Sequence, residues 1–130
     1  DIVIALSAST NSNYAAQYRL PGSYAPTASF ELAEKAINAA KEMGLSPVVG
    51  NILSSDTFYD DANSLKDWQK MGVLAVEMEA AALYMNAARS GKHALAICTI
   101  SDCPFTGEAT SAEERQNSFT EMMNLALALI

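Results

Sequence analysis

Histidine occurs once in the 130 residues, tryptophan once and cysteine twice, and 8 basic side chains face 15 acidic ones. Each shortage closes off a class of chemistry. His93, Cys98 and Cys103 offer a lone Cys-x4-Cys without a second ligand pair, a poor basis for zinc, so no metal site is expected. The two cysteines fit reduced thiols of a cytoplasmic protein better than a disulfide scaffold. A net charge of −7 argues against a nucleic-acid or anionic-membrane surface, because phosphate backbones demand clustered Lys and Arg. Anionic small molecules stay open, since one or two placed arginines hold them. No apolar run approaches the length of a membrane span, and there is no signal-peptide pattern.

What is plentiful is apolar material, half of the chain, enough for the core of one domain or part of one. The chain opens on Asp1 directly before an apolar strand, Ile2 to Leu6, and stops within an apolar helix at Leu127–Ile130. Both ends are expected to need a partner, as in the C-terminal part of a larger domain.

Strand and helix signals alternate between those ends. A polar stretch, Ser9 to Thr27, carries turn signals at Pro21-Gly22 and Pro26. Ser29 is placed to cap an amphipathic helix to about Met43, with Leu32, Ala36, Ala39 and Ala40 at helical spacing and Gly44 as its stop. Pro47 to Leu53 reads as a buried strand. A loop with Phe58-Tyr59 follows, then a short helix Leu65–Met71 ended by Gly72, a strand Val73–Val76, and a helix Glu79–Ser90 ended by Gly91. Ala94 to Ile100 is a fourth strand. Ser111, with Glu114 three residues on, opens a last helix as a capping box. This order predicts an α/β domain on a largely parallel sheet.

Three features stand out. Val76-Glu77-Met78-Glu79-Ala80-Ala81 sets two carboxylates at a strand-to-helix turn, where a sugar diol could donate hydrogen bonds to them. Glu79 at a helix start also answers the helix dipole, which is a sufficient structural reason by itself. Glu77 adds weight, because at strand spacing it shares a face with Glu79 and would repel it. Second, the apolar strand Cys98-Thr99-Ile100 runs into Ser101-Asp102, although a lone Ser-Asp also suits an ordinary loop. Third, Arg115 sits near a helix N-terminus, where a cation needs an anion such as Glu113, Glu114 or Asp102. Phe58 suits core packing as well as a ligand platform. Trp68, Met71, Met85, Met122 and Met123 are read as packing residues, and His93 as surface or half-buried. Ligands gather at the carboxyl ends of strands in such sheets. The loops after Leu53, Glu77 and Ile100 are therefore expected to converge on one crevice.

Gly50-Asn51-Ile52-Leu53-Ser54-Ser55-Asp56-Thr57-Phe58-Tyr59, the Val76–Ala81 turn, Ser101-Asp102 and Ser111-Ala112-Glu113-Glu114-Arg115-Gln116 together resemble the bacterial hexameric purine nucleoside phosphorylases. The likeness runs from Asp1 to Ile130 almost without gaps. It implies a three-layer α/β sandwich with a mixed, partly barrel-like central sheet, of which residues 1–130 form the C-terminal part of a single domain. It also implies phosphorolysis of purine (deoxy)nucleosides to free base and (deoxy)ribose 1-phosphate, in a homo-hexamer, with inorganic phosphate as co-substrate and no cofactor. By position, Glu79 would hold the ribose hydroxyls, Met78 would lie against the sugar and Glu77 would support Glu79. Phe58 and Val76 would contact the base and Ser101 would line its pocket. Asp102 would be the general acid at purine N7, and Arg115 would orient Asp102. The family's phosphate site lies upstream of the position matching Asp1, and a neighbouring subunit completes it, so the N-terminal half of the same enzyme is an implied partner. Two departures are local: Cys103-Pro104-Phe105-Thr106-Gly107 is less polar than the family pattern, and one residue is missing between Phe58 and Val76. The alternatives are a methylthioadenosine/adenosylhomocysteine nucleosidase-like hydrolase, which uses water, and an inactive nucleoside-binding fragment.

Overall fold

β1 (Ile2–Thr10) alternates between two cores, and this alternation explains the layering. Val3 and Ala5 face one cluster with Ile52, Ala80, Ala81, Tyr84 and Met85, while Ile2 and Ile4 face another with Ala36, Ala40 and Leu125. A strand buried on both faces needs helices on both sides of its sheet. The computed structural model describes residues 1–117 and 119–130. In it α1 (Phe30–Glu42) and α5 (Thr120–Leu127) pack on one face, and α3 (Ala80–Arg89) on the other.

The sheet runs β3-β2-β1-β4, with β2 (Val48–Ser54) parallel to β1 and to β3 (Val76–Glu77), and β4 (Ala96–Thr99) antiparallel to β1. It is the mixed sheet expected. β1 reaches four residues beyond Leu6 because a bulge resets its register. Ala5 pairs with Gly50 but Ser7 with Asn51, leaving Leu6 as the extra residue, 43% exposed. Ala8 thereby returns to the face of Val3 and Ala5. The Asn51 side chain holds the bulge, accepting from Ser7 Oγ and the Ser9 N–H and donating to Ser9 Oγ.

At the same point β1 changes its neighbour. β4 pairs only as far as Ala5, after which Pro26–Ala28 takes over through Ala28 N–H to Leu6 O and Ala8 N–H to Pro26 O. The Tyr84 hydroxyl seals this junction, donating to Ala5 O at 2.5 Å and accepting the Ala96 N–H at 3.0 Å.

The glycine stops fall where the sequence puts them. After α1, after α2 (Leu65–Lys70) and after α3, the glycine has positive φ and the next residue's N–H returns to the carbonyl five back: Leu45 to Ala40, Val73 to Trp68, Lys92 to Ala87. That is a Schellman closure each time. Ser29 precedes α1 but its hydroxyl does not cap it; it accepts the Ala94 N–H and ties the helix start to the approach of β4. Asp60 caps α2, accepting from Ser64 Oγ and the Leu65 N–H. The single last helix is described as α4 (Ala112–Asn117) and α5, and Ser118 between them lies outside the described residues. Of the methionines read as packing, Met85 is buried and Met122 partly so, whereas Met71 and Met123 are 80% and 56% exposed. Met71 is the C-cap residue just past α2, and Met123 lies on the exposed side of α5 with Leu127. Single exposed apolar residues of this kind are common on protein surfaces.

Candidate active site

The turn between β3 and α3 is built around Glu77. β3 pairs with the end of β2, setting Glu77 beside Ser54. Ser54, the buried last residue of β2, donates its hydroxyl to Glu77 Oε1 and accepts the Ala81 N–H at 2.8 Å. Glu77 Oε2 accepts the N–H groups of Glu79 and Ala80, both at 2.7 Å. The start of α3 is therefore capped by a carboxylate and a hydroxyl from outside the helix, and the helix dipole favours that charge. Glu79 occupies the N-cap position, but its side chain makes no cap bond, and among the described residues its exposed carboxylate has no partner. The two acids do not face each other as strand spacing suggests: Glu77 turns back to the backbone and Glu79 is left open. Val76 and Met78, 42% and 43% exposed, flank them.

Ser101 and Asp102 arrive from the opposite direction. Because β4 is antiparallel, its carboxyl end lies beside the start of β1, with Ile2 opposite Thr99 and the Ile100 N–H on Asp1 O. The rule of carboxyl ends thus holds for β2 and β3 and fails for β4, so the expected convergence does not come from strand ends. The face of β4 supplies the link. Cys98 and Ile100 pack with Ala80, Ala81 and Tyr84, and burial first, then the charges of Glu77 and Glu79, pushes the Cys98 thiol up.

Past β4 the chain folds into a small hairpin closed by Cys103 N–H to Glu108 O, 2.7 Å, and a bridge from Asp102 to Ala109. A cleft of about 260 Å³ is lined by Ser101, Asp102, Cys103, Glu108 and their neighbours. Asp102 is exposed and accepts from the Ser101 hydroxyl at 2.7 Å. Hydrogen bonds from the Thr106 hydroxyl, then from the Phe105 and Thr106 N–H groups, hold the Cys103 thiol below its ordinary value. Ser111 caps α4 through the Glu114 N–H at 3.1 Å, as its spacing predicts. Arg115 is exposed on α4, and among the described residues it forms no ion pair with Asp102. Phe58 is 79% exposed on the loop after β2, stacked edge-on against Tyr59 at 5.1 Å between centroids, so it is not a core residue. The structure therefore gathers Val76, Glu77, Met78 and Glu79 on one lip, sets Ser101 and Asp102 on another, and leaves Phe58 and Arg115 exposed on the loop after β2 and on α4.

The family model described as the phosphorylase superfamily matches residues 1–130. The chain belongs to the phosphorylase superfamily. A purine nucleoside phosphorylase DeoD-type from Caldanaerobacter subterraneus subsp. tengcongensis is 58% identical over 131 residues, covering 99% of this chain and 56% of the relative. One from Clostridium beijerinckii is 55% identical, covering all of this chain and 55% of the relative. The chain spans about half the length of the curated relatives it matches. The crystal structure of purine nucleoside phosphorylase from Toxoplasma gondii in complex with immucillin-H superposes with a TM-score of 0.85 at 18% identity, covering 99% of this chain and 54% of that one. At that identity the match speaks for a shared phosphorylase fold.

In this phosphorylase-superfamily chain, two residues that organise the candidate site escape a reading of the sequence. Ser54 ends an apolar strand like many serines, and Tyr84 sits in a helix like any core aromatic. A signal exists for Ser54 only in hindsight: a serine closing Asn51-Ile52-Leu53 beside a strand that itself ends on glutamate. For Tyr84 there is none, because its hydroxyl serves backbone atoms 79 and 12 residues away.

Proposed function

We propose that this chain carries the nucleoside-binding part of a purine nucleoside phosphorylase, an enzyme transferring the pentosyl group of purine (deoxy)nucleosides to inorganic phosphate. The observation that carries the reading is the unequal fate of the paired carboxylates. Glu77 spends both oxygens on Ser54 and the start of α3, while Glu79 stands exposed without a partner among the described residues. A charged acceptor held open on a fixed helix start suits the two hydroxyls of a ribose. Met78 then lies against the sugar, and Val76 and Phe58 against the base, with Ser101 lining the base pocket.

In the reaction a phosphate oxygen attacks C1′ as the bond to N9 breaks. The pentose gains positive charge and the purine leaves with the bonding electrons. A proton delivered to N7 lowers that barrier, and Asp102 is the group assigned to deliver it, oriented by Arg115. That role requires α4 to bring Arg115 to Asp102 when nucleoside is bound. Phosphate is co-substrate, and no cofactor enters. The relatives' greater length supports a second partner, the remainder of the phosphorylase domain, which would hold the phosphate. A homo-hexamer and a cytoplasmic location complete the reading. No helix among the described residues is long and apolar enough to cross a membrane.

The test is product analysis on the native protein, meaning this chain together with the remainder of the phosphorylase domain proposed as its partner. Inosine should disappear only when phosphate is supplied, yielding hypoxanthine and ribose 1-phosphate in equal amounts. Free ribose formed without phosphate would replace this reading with a hydrolase.

A further inference from the structure

We infer that Ser54 is a positioning residue for nucleoside binding, acting through Glu77 to keep Glu79 available for substrate. The inference rests on the sugar-binding role given to Glu79 above. Four N–H groups at the start of α3, those of Glu79 to Ala82, precede the first helical bond, and three of them are taken by residues outside the helix. Those of Glu79 and Ala80 go to Glu77 Oε2 at 2.7 Å, and that of Ala81 to Ser54 Oγ at 2.8 Å. The same Ser54 hydroxyl donates to Glu77 Oε1 and so fixes the carboxylate that does the capping. One hydroxyl, 4% exposed, thus satisfies the third donor and holds the acceptor for the other two.

Glu79 is the N-cap residue of α3, and an N-cap side chain is the natural acceptor for N–H groups two and three positions on. Its side chain makes no such bond, and the first of those two groups, the Ala81 N–H, goes to Ser54 instead. If Ser54 loses its hydroxyl, the Ala81 N–H is orphaned in a buried place and Glu77 Oε1 loses its hydrogen bond. Glu79, the N-cap residue, has a carboxylate not committed to the helix start. Its carboxylate then folds back onto its own helix, drawn by the same dipole, and leaves the sugar position. The serine therefore sets the affinity for ribose hydroxyls without touching them.

The experiment compares Ser54→Ala, Ser54→Thr and Ser54→Ala/Glu79→Gln in the native protein by two measurements. Steady-state kinetics with inosine should show KM for Ser54→Ala raised about tenfold with kcat changed less than about twofold. Ser54→Thr, which keeps the hydroxyl, should recover most of the loss. The double variant should be no weaker than Glu79→Gln alone, because Ser54 acts through Glu79. Hydrogen exchange over Glu77–Tyr84 should quicken at the helix start in Ser54→Ala. An unchanged KM, or a loss that simply adds to that of Glu79→Gln, overturns the inference. Should the native protein cleave no nucleoside, the phosphorylase reading falls by itself. Exchange then decides Ser54 alone, and unchanged protection of Ala81 overturns its role.

Discussion

Glu77 accepts the backbone N–H of Glu79 at 2.7 Å, so the first carboxylate of the pair fixes the position of the second. Two acids one residue apart at a strand end would repel if both pointed the same way. Here the backbone bond turns Glu77 inward and the helix start carries Glu79 outward. The pair is a support and an open acceptor.

The open acceptor should matter for substrate and little for folding. Glu79→Gln removes the charge while keeping the shape. Nucleoside binding should weaken by about 1.5–3 kcal/mol, the range for a hydrogen bond to a charged group. Melting temperature should hardly move, because the exposed side chain has no partner among the described residues. Kinetics for ribonucleosides equal to those of the parent would reduce Glu79 to a helix-start residue.

Asp102→Asn keeps the carboxyl outline but has no acidic proton to give. The rate should fall on the order of 10²- to 10⁴-fold for purines that leave through N7 protonation. Arg115→Ala should damage the same step. Among the described residues the two form no ion pair, so the coupling predicted is one that would arise with substrate bound. A double variant should be little worse than the worse single one. Strict additivity would mean that the two residues act apart.

Tyr84→Phe tests the sheet junction. The variant deletes one hydroxyl from a residue only 1% exposed and strands two backbone groups, Ala5 O and Ala96 N–H. Stability to urea should drop by about 1–3 kcal/mol, with an unchanged m-value. A loss below a few tenths would show that the bulged strand satisfies those groups some other way.

How legible all this was in the sequence depends on the distance over which each feature is decided. Gly44, Gly72 and Gly91 end their helices as read, because a Schellman closure is settled within six residues. Ser111 caps α4 for the same reason. The position of Ser29 was readable but not its partner, since Ala94 lies 65 residues on. The direction of β4 could not be read, for an apolar run carries no sign of which way it pairs. That one unknown misdirected the carboxyl-end argument for Asp102. Within the site, the Glu77–Glu79 turn was visible as a local oddity, while Ser54 was invisible because strand pairing brings it there.

The two cysteines should separate by reactivity. Burial first, then the charges of Glu77 and Glu79, raises the Cys98 thiol above its ordinary value. The Thr106 hydroxyl and neighbouring N–H groups lower that of Cys103. A lowered value means more thiolate at a given pH, and thiolate is the reactive form. Iodoacetamide near pH 8 should therefore label Cys103 first, with its rate rising at lower pH than that of Cys98. In Glu79→Gln the titration of Cys98 should shift downward, since one nearby negative charge is gone. Equal labelling of both thiols in the folded chain would contradict these surroundings.

Phosphate is where the 130-residue polypeptide should fall short by itself. A phosphate cradle needs backbone N–H groups freed by glycine, with a cation close by. Of the six glycines, Gly44, Gly72 and Gly91 close helices, Gly50 lies in β2 against Leu74, and Gly107 closes the hairpin after Asp102. Gly22 remains, in the exposed bend after Leu20. The three arginines, Arg19, Arg89 and Arg115, are exposed on separate elements. Among the described residues, no strand-end loop combines a glycine turn with an arginine. Purified alone, these 130 residues should show no phosphate-dependent cleavage of inosine, and adding the remainder of a phosphorylase domain should supply it. Turnover by the polypeptide alone, rising with phosphate and lost in Asp102→Asn, would require a phosphate site among Asp1–Ile130 that this geometry does not offer.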